Sequence, residues 1–423
     1  MKILIDNSGY ELKNQGDLAM LIVTANRFHR QYPNAKIQIM TVVPERLKEI
    51  IPYANPVSTK GRGQWAMQWS LFGGVHKLFP DCLHDWLTIQ ESLLKIKYPD
   101  FSLWWIKRRL IKRGYNVDPL INYLEMMQGT DVVIASGGGY ITDAFEIHAI
   151  RVLQTLALAQ RLGKPTAMFG QGLGPLKKEA ILFWAKKVLP NLECLGLRES
   201  VYSRPYAQLV NVPVNKIEVT GDDAISLVYA SKALNLGDEI GVNLRVSSYS
   251  GLTDDVLEQF RLILTEVSEK LKTELCAVPI SSHSGDSDFY SIQKILGGGL
   301  PSKESFDTPL KIIKQVGSCR IVITGSYHAG VFALSQGVTV IAVVASDYYR
   351  YKFEGLANQF GEGCFIVDRD IPEFDNKFKS AVTEAWKNAE VIRPKLLEKA
   401  QKQIEKGDVA YQIFYKACNR SDK

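Results

Sequence analysis

The chain has 423 residues, of which 46% are hydrophobic and 23% are charged, and its formal net charge is +6. This length exceeds a single compact core and predicts two globular domains of roughly 200 residues each. The mild positive charge suits acidic small molecules or a membrane face, and it is too diffuse to indicate nucleic acid as a partner.

Strand and helix signals alternate from the N-terminus onward. Gly16-Asp17 precedes a helical pattern that runs through Arg30, and each apolar run ends in glycine or a polar turn. The apolar runs that predict strands lie at residues 2–6, 35–41, 131–135, 165–169 and 217–220. Apolar strands separated by helices are typical of a parallel sheet covered on both faces. Residues 1–232 are therefore predicted to form a Rossmann-like domain.

The sequence turns polar at residues 231–238, and a second series of strands follows. Its apolar runs lie at residues 239–244, 275–280, 321–324, 339–344 and 364–367. We predict a second Rossmann-like domain over residues 233–400 and a C-terminal helical tail over residues 401–423. The expected class is α/β, with two doubly wound domains facing across a cleft.

An aromatic and basic insertion at about residues 60–113 interrupts this rhythm. It holds five of the seven tryptophans and ends in SLWWIKRRLIKRG, where Leu103, Ile106 and Leu110 share one helical stripe. Two interpretations stay open. The helix packs on its own domain or on a second subunit, or residues 97–113 lie in a lipid interface as a basic, Trp-bearing amphipathic helix.

Two glycine-rich segments follow successive strands of the first domain. Gly137, Gly138 and Gly139 follow DVVIA, and Gly170-Gln171-Gly172 follows PTAMF. Glycines after a buried strand let backbone N–H groups approach a phosphate or carboxylate, so we predict two turns at one edge of the sheet. Neither a GxGxxG nor a Gly-Lys-Ser/Thr motif is present, which disfavours dinucleotide and P-loop interpretations.

Further polar residues follow strands of the first domain. Gly16 and Asp17 lie before the first helix, where Asp17 is either the N-cap or a group that faces the crevice. Arg198-Glu199-Ser200 and Asp222-Asp223 also follow strands, and each alone is more typical of a cap or a salt bridge than of a ligand contact.

In the second domain, His328 lies where a strand ends and a small-residue helix begins, with Ser326 and Tyr327 before it and Tyr351 and Lys352 in the next loop. An imidazole at that position can contact phosphate or exchange a proton near neutral pH. Arg245 ends another strand, where a guanidinium requires an anion.

His283 with Asp286 and Asp288 matches no standard metal signature, so no metal site is predicted.

Seven motifs occur in one order along nearly the whole chain. They are NQGDLAM, DVVIASGGGYITD, MFGQGLGPL, LRES, TGDDA, GVNLR, and SYHAGVFALSQGVTVIAV with YK behind it. Together they resemble the polysaccharide pyruvyl transferase family. The resemblance implies a GT-B-like fold, transfer of a pyruvyl group from phosphoenolpyruvate to a sugar of a cell-wall or exopolysaccharide glycan, and no metal or organic cofactor.

The resemblance also implies that residues 1–232 form the acceptor side and that residues 233–400 bind the donor, and it implies roles for the candidate residues. His328 and Asp17 are the expected catalytic residues, and the donor is expected to contact Arg245, Ser326, Tyr327, Tyr351 and Lys352. The acceptor is expected to contact Gly16, Gly137, Gly138, Gly139, Gln171 and Gly172. One departure concerns Ser326, because family members usually carry arginine two residues before the histidine. Arg320, Arg350 or Lys352 are candidates to supply the missing charge.

Two alternatives keep the same architecture. One is a GT-B-type glycosyltransferase that uses a nucleotide sugar, and the other is a glycan-binding relative without catalysis.

The expected location follows from the cysteines and the N-terminus. Six scattered cysteines without a CxxC pair indicate no disulfide framework, and the sequence shows neither a signal peptide nor an apolar window of membrane-spanning length. We expect a cytoplasmic protein at or near the inner face of the membrane, with a sugar or lipid-linked glycan as acceptor and a homo-oligomer as one option.

Overall fold

A computed structural model describes residues 1–80, 83–244, 254–283, 286–299 and 302–420. The first half of the chain contributes eight strands to one sheet. They are β1 (Lys2–Asp6), β2 (Lys36–Thr41), β3 (Asn55–Ser58), β4 (Val132–Ala135), β5 (Gly138–Ile141), β6 (Thr166–Leu173), β7 (Cys194–Leu197) and β8 (Ile217–Val219).

Helices connect these strands, and four of them lie between β3 and β4. They are α1 (Gln15–Gln31), α2 (Pro44–Ile50), α3 (Lys60–Trp65), α4 (His84–Lys97), α5 (Pro99–Lys112), α6 (Asp118–Gly129), α7 (Glu146–Arg161), α8 (Glu179–Val188), α9 (Ser203–Leu209) and α10 (Ala224–Ala230). Short 3-10 helices occur at Gly73–Leu78, Asp143–Phe145, Leu189–Asn191 and Val214–Lys216.

The second half forms a five-stranded sheet and a small hairpin. The strands are β9 (Glu239–Asn243), β10 (Leu275–Ala277), β11 (Ser282–His283), β12 (Asp286–Ser287), β13 (Cys319–Thr324), β14 (Thr339–Val344) and β15 (Cys364–Asp368). The helices are α11 (Asp254–Leu271), α12 (Asp288–Leu296), α13 (Pro309–Gly317), α14 (Tyr327–Leu334), α15 (Asp347–Phe360) and α16 (Phe374–Arg420), with 3-10 helices at Lys303–Phe306 and Gly361–Gly363.

Both sheets are parallel, and each reverses its strand order once. The first has the order β3-β2-β1-β4-β6-β7-β8 with β5 beside β6, and the second has the order β10-β9-β13-β14-β15. The order reverses between β1 and β4 in the first sheet and between β9 and β13 in the second. A ligand crevice is expected at such a point, outside the carboxyl ends of the strands.

The strands are buried on both faces. In β1, Ile3 and Ile5 pack on one side with helix α1, while Leu4 packs on the other side with α6 and α7. Strand β13 shows the same alternation, because Ile321 and Val322 belong to different apolar clusters. Near-continuous apolar strands therefore reflect a sheet between two helical layers, as the sequence predicts.

Helix α16 joins the two halves. Its first turns pack Phe378 against the second sheet, and its last turns pack Tyr411 and Phe414 against the first. The rings of Tyr411 and Phe169 stack with centroids 3.8 Å apart. Residues 401–420 are thus part of a 47-residue helix whose last turns pack on the first sheet.

The two glycine segments differ from the predicted turns. Gly138 and Gly139 lie within β5, and Gly170, Gln171 and Gly172 lie within β6. The prediction of a turn at these positions is wrong, because the chain continues as a strand beyond an irregularity in the β6–β7 pairing. Gly170 adopts φ +60°, a left-handed conformation that favours glycine.

Among the described residues, no helix is both long enough and apolar enough to cross a bilayer.

Candidate active site

The two crevices face each other and form one cavity of about 230 Å³. Its lining includes Asp17 and Gly139 from the first half and Ser326, Tyr327 and Lys352 from the second. His328 also lines the cavity and crosses the boundary between the halves, because a Cβ placed on Gly16 would lie 2.0 Å from its ring. Glycine at position 16 therefore lets the imidazole pack directly on the start of α1.

His328 has an acidic neighbour, Asp222. The His328 Nε2 lies 3.7 Å from the Asp222 Oδ2, and both side chains are buried. Neither atom has a hydrogen-bond partner in the described residues, while the other oxygen of Asp222 accepts from the Ala224 backbone N–H at 2.9 Å. The imidazole and the carboxylate therefore face each other beside the cavity, each with one unused polar atom.

Arg198 follows β7 and reaches the same cavity with a buried guanidinium. The residue is only 5% exposed, and its side chain has neither a hydrogen bond nor an ion pair within the described ranges. A Cβ on Gly139 would lie 2.8 Å from its Nη2, and a Cβ on Gly172 would lie 2.6 Å from its Nε. The two glycines therefore create the space that this guanidinium occupies.

The electrostatic surroundings keep Arg198 charged. Burial by itself lowers the pKa of the guanidinium, but nearby Tyr327, Asp222, Tyr348 and Glu199 outweigh burial and raise the pKa overall. The guanidinium carbon lies 4.2 Å from the centre of the Tyr327 ring. A permanently charged group with five N–H donors beside a cavity is suited to bind a carboxylate or a phosphate.

The second half adds further cationic and polar groups. Ser326 is the N-cap of α14 and makes no side-chain capping bond, so its hydroxyl and the first amides of α14 lie at the cavity. Lys352 hydrogen-bonds the Tyr348 hydroxyl, and its ammonium lies 3.8 Å from the centre of that ring. Tyr351 lines a smaller hollow that also contains Arg198, Gly172 and Lys352.

His148 of α7 lines the first-half wall of the cavity. Its ring lies between those of Tyr10 and Tyr140, with centroids 5.2 Å and 4.9 Å away. Burial lowers the pKa of His148 to about 4, so the ring is neutral at physiological pH. Its Nε2 is buried and has no partner among the described residues. A neutral imidazole of this kind can bind a hydroxyl group.

The structure separates the predicted site residues into three groups. Asp17, Gly139, Ser326, Tyr327, His328 and Lys352 line the cavity, and Gly172 and Tyr351 line the adjoining hollow. Gly137, Gly138 and Gln171 do not, because Gly137 packs against β6 and the Gln171 amide donates to the Gly138 and Gly172 carbonyls. Arg245 lies outside the described residues.

The N-cap of α1 is Asn14, whose side chain accepts from the Gly16 and Asp17 amides. Asp17 therefore does not cap the helix and lines the cavity.

Sequence reasoning missed Arg198, Asp222 and His148. In the sequence, Arg198 and Asp222 taken singly are more typical of caps or salt bridges than of ligand contacts. The signal that identifies Arg198 is its place after a buried strand next to two glycine segments. Of the candidates for the missing charge at Ser326, Arg320 pairs with Glu390 and Arg350 pairs with Asp368. Arg198 is the cation that lies in the cavity, together with Lys352.

Two other groups of potential metal ligands occur in the second half, and of their members His283 lines the cavity. Asp288 accepts hydrogen bonds from Asn243 and from the Ile280 and Ser281 amides, so its role is structural. Within the described residues, Glu239, Cys276 and Cys319 approach one another. Glu239 and Cys319 begin their strands, so this group lies at the opposite edge of the second sheet.

The profile of a family described as "Polysaccharide pyruvyl transferase" matches residues 14–348. No curated protein sequence matches the chain. UDP-GlcNAc 2-epimerase from Neisseria meningitidis, solved bound to UDP-GlcNAc, has a TM-score of 0.58 at 13% identity, covering 98% of this chain and 100% of that one. UGT89C1 from Arabidopsis thaliana, solved with quercetin, has a TM-score of 0.53 at 11% identity, covering 99% of each chain.

A third solved structure, UDP-GlcNAc 2-epimerase from Methanocaldococcus jannaschii, has a TM-score of 0.50 at 12% identity and covers 91% of this chain and 93% of its own. At such identities the likeness concerns the fold alone. It confirms the prediction of two Rossmann-like domains in a GT-B-like arrangement.

Proposed function

This chain belongs to the polysaccharide pyruvyl transferase family, and from that premise we propose that it moves a pyruvyl group from phosphoenolpyruvate to a sugar of a cell-surface or exopolysaccharide glycan. The observation that carries the proposal is Arg198, a buried guanidinium beside the cavity without a hydrogen-bond partner in the described residues. A buried cation is costly unless it meets an anion, and the donor carries both a carboxylate and a phosphate.

The groups around Arg198 fit a compact donor with two anionic ends. Arg198 can bind one end through parallel N–H bonds, while Lys352 and the amides at the start of α14 can bind the other. The cavity volume of about 230 Å³ favours a small molecule over a nucleotide sugar. In this arrangement Arg198 supplies the charge that Ser326 lacks.

His328 and Asp222 supply proton transfer. The His328 imidazolium gives its proton to the donor methylene, whose π electrons form the new C–H bond and leave positive charge on the adjacent carbon. A sugar hydroxyl bonds to that carbon and passes its proton to the neutral imidazole. The C–O bond to phosphate then breaks with its electron pair on the phosphate. A second hydroxyl closes the ketal, and its proton leaves with the phosphate.

Asp222 stabilises the imidazolium before the first step and after the second, because its carboxylate lies 3.7 Å from Nε2. On the first-half wall, Asp17, Gly139 and His148 lie where the sugar would approach, and we assign them to the acceptor. No organic cofactor and no metal takes part in this scheme.

The experiment is a donor panel with two measurements. Thermal unfolding would be followed with phosphoenolpyruvate, inorganic phosphate, nucleoside diphosphates and nucleotide sugars, and phosphate release would be measured with phosphoenolpyruvate and a glycan acceptor. We expect stabilisation by phosphoenolpyruvate and by phosphate, and acceptor-dependent phosphate release. Stabilisation by nucleotides alone, with transfer from a nucleotide sugar, would replace this proposal with a glycosyltransferase.

A further inference from the structure

Helix α5 presents a cluster of aromatic side chains to solvent. Phe101 and Trp104 are 60% and 53% exposed, and Trp105 is more than one-third exposed. The three rings contact one another, with centroid distances between 5.8 Å and 6.3 Å. We call Tyr98, Phe101, Trp104 and Trp105 the aromatic face.

The aromatic face is not the side by which α5 packs on its domain. Ile106 and Leu110 are buried in the core of the first half, together with Trp65 and Leu120. The helix is therefore already anchored by one stripe, while Phe101 and Trp104 on its other stripe stay more than half exposed among the described residues. Large contiguous apolar surfaces are uncommon on soluble proteins unless they bind something.

An apolar groove adjoins the aromatic face. It has a volume of about 220 Å³ and lies between the 3-10 region and helices α4 and α5. Its walls are Leu71, Phe72, Leu94, Tyr98, Phe101 and Trp105. Tyr98, Phe101 and Trp105 belong both to the groove and to the aromatic face, so an acyl chain that reaches this face can enter the groove.

The positive charge of the protein is concentrated beside this face. Residues 101–117 contain five lysines and arginines and no acidic residue, so the remainder of the chain has a net charge of only +1, which is +6 minus +5. Lys107, Arg108, Lys112 and Arg113 are exposed. In the part of the chain that the structure describes, none of the four forms an ion pair. These cations are thus available to an external anionic surface.

We propose that the aromatic face and the four neighbouring cations dock on an anionic lipid bilayer. Tryptophan and tyrosine favour the headgroup level of a bilayer, and lysine and arginine are attracted by the negative surface potential. A helix that has cations beside its exposed apolar stripe lies in the plane of the interface. The docking does not depend on which donor the cleft binds.

The experiment measures vesicle binding of the full chain. Co-sedimentation would be compared for pure phosphatidylcholine vesicles and for vesicles that also contain phosphatidylglycerol. We expect binding to the anionic vesicles, with a blue shift of tryptophan emission, and little binding to the neutral ones. The triple variant Arg108→Glu, Lys112→Glu and Arg113→Glu should lower the partition coefficient about tenfold or more.

A matched control changes the same number of charges elsewhere. Lys377, Lys387 and Lys399 are exposed on α16. After correction for the change in net charge, their replacement by glutamate should leave the partition coefficient within about twofold of the wild-type value. The variant Trp104→Ala tests the apolar contribution and should reduce both binding and the blue shift. Melting temperature and circular dichroism establish that each variant is folded.

Several results would overturn the proposal. Equal binding to neutral and anionic vesicles, or equal loss in the α5 and α16 variants, would mean that the cations beside the aromatic face are not the docking site. A concentration-dependent dimer that Trp104→Ala dissociates, without vesicle binding, would assign the aromatic face to a second copy of the chain.

Discussion

Two arginines are buried in the first half of the chain, and they have opposite surroundings. The Arg62 Nη1 pairs with the Asp6 Oδ2 at 2.8 Å, and the Tyr10 hydroxyl donates to the other Asp6 oxygen at 2.7 Å. Arg198 has no carboxylate partner in the described residues and borders a cavity. Both side chains are buried and have lost most of their hydration, but only Arg62 forms an ion pair with a carboxylate of the protein.

Under the proposed function, this difference separates a structural charge from a ligand-binding charge. Arg62 fixes helix α3 to strand β1, and its guanidinium also lies 4.7 Å from the centre of the Tyr10 ring. Arg198 is held by aromatic and glycine neighbours that leave its donors unused. Burial alone therefore does not identify a functional cation, and the absence of a partner beside a cavity does.

The largest expected effect concerns catalysis. Arg198→Met should lower kcat/KM by about a thousandfold, because removal of one preorganised donor to a developing charge costs that order of rate. The free energy of unfolding should stay the same or rise, since no protein anion loses its partner. Steady-state kinetics and chemical denaturation measure the two quantities on the same samples.

Arg204→Met is the matched control, because Arg204 is exposed and lies six residues further along the chain. Its kinetics should equal those of the wild type. If Arg198→Met lost stability while keeping its activity, the two arginines would be alike and the donor would bind elsewhere.

Arg62→Met should give the reverse result. It leaves Asp6 buried without its cation, so the free energy of unfolding should fall by about 3 kcal/mol. The double variant Arg62→Met with Asp6→Asn should recover part of that loss, because the uncompensated charge is removed. Denaturant titration of the single and double variants checks this. Equal losses in the single and double variants would show that packing, rather than the ion pair, makes Arg62 important.

The sequence predicts much of this molecule because patterns of burial are local. The alternation of apolar strands with helices predicts the two parallel sheets, and the turn after Ile323 and Thr324 leads to His328 at the predicted edge. The glycine segments show where local reasoning fails. Gly139 and Gly172 border the site because they make room for Arg198, a residue from another strand.

The roles of Arg198 and Asp222 depend on distances between elements far apart in the chain. Arg198 and Arg62 both occur near aromatic residues in the sequence, and only the fold shows that Asp6 reaches one of them. The pairing of Asp222 with His328 joins residues more than a hundred positions apart and in different halves of the chain. Neither the Asp6–Arg62 contact nor the Asp222–His328 contact leaves a periodic or compositional signal in the sequence.

The smallest expected effect concerns His148. Its ring contacts Tyr10, which belongs to the Arg62 and Asp6 group, and it lines the cavity that Arg198 also lines. Burial lowers the pKa of His148 from 6.5 to about 4. The unfolded chain therefore binds a proton between these pH values while the folded protein does not. The contribution of His148 to the free energy of unfolding is fully present above pH 6.5. It falls by about 1–2 kcal/mol as the pH drops toward 4, because the ring is half-buried.

His148→Asn should remove this part of the pH dependence, and the quantity to measure is the difference between the unfolding free energies of variant and wild type across that range. The difference is needed because burial raises the pKa of Asp223 to about 6, which makes the folded protein lose stability as the pH rises from 3.8 to 6. The Asp223 contribution is common to both proteins and cancels. A flat difference curve would mean that His148 accepts a proton as readily in the fold as outside it. The wall next to Arg198 would then be as polar as solvent.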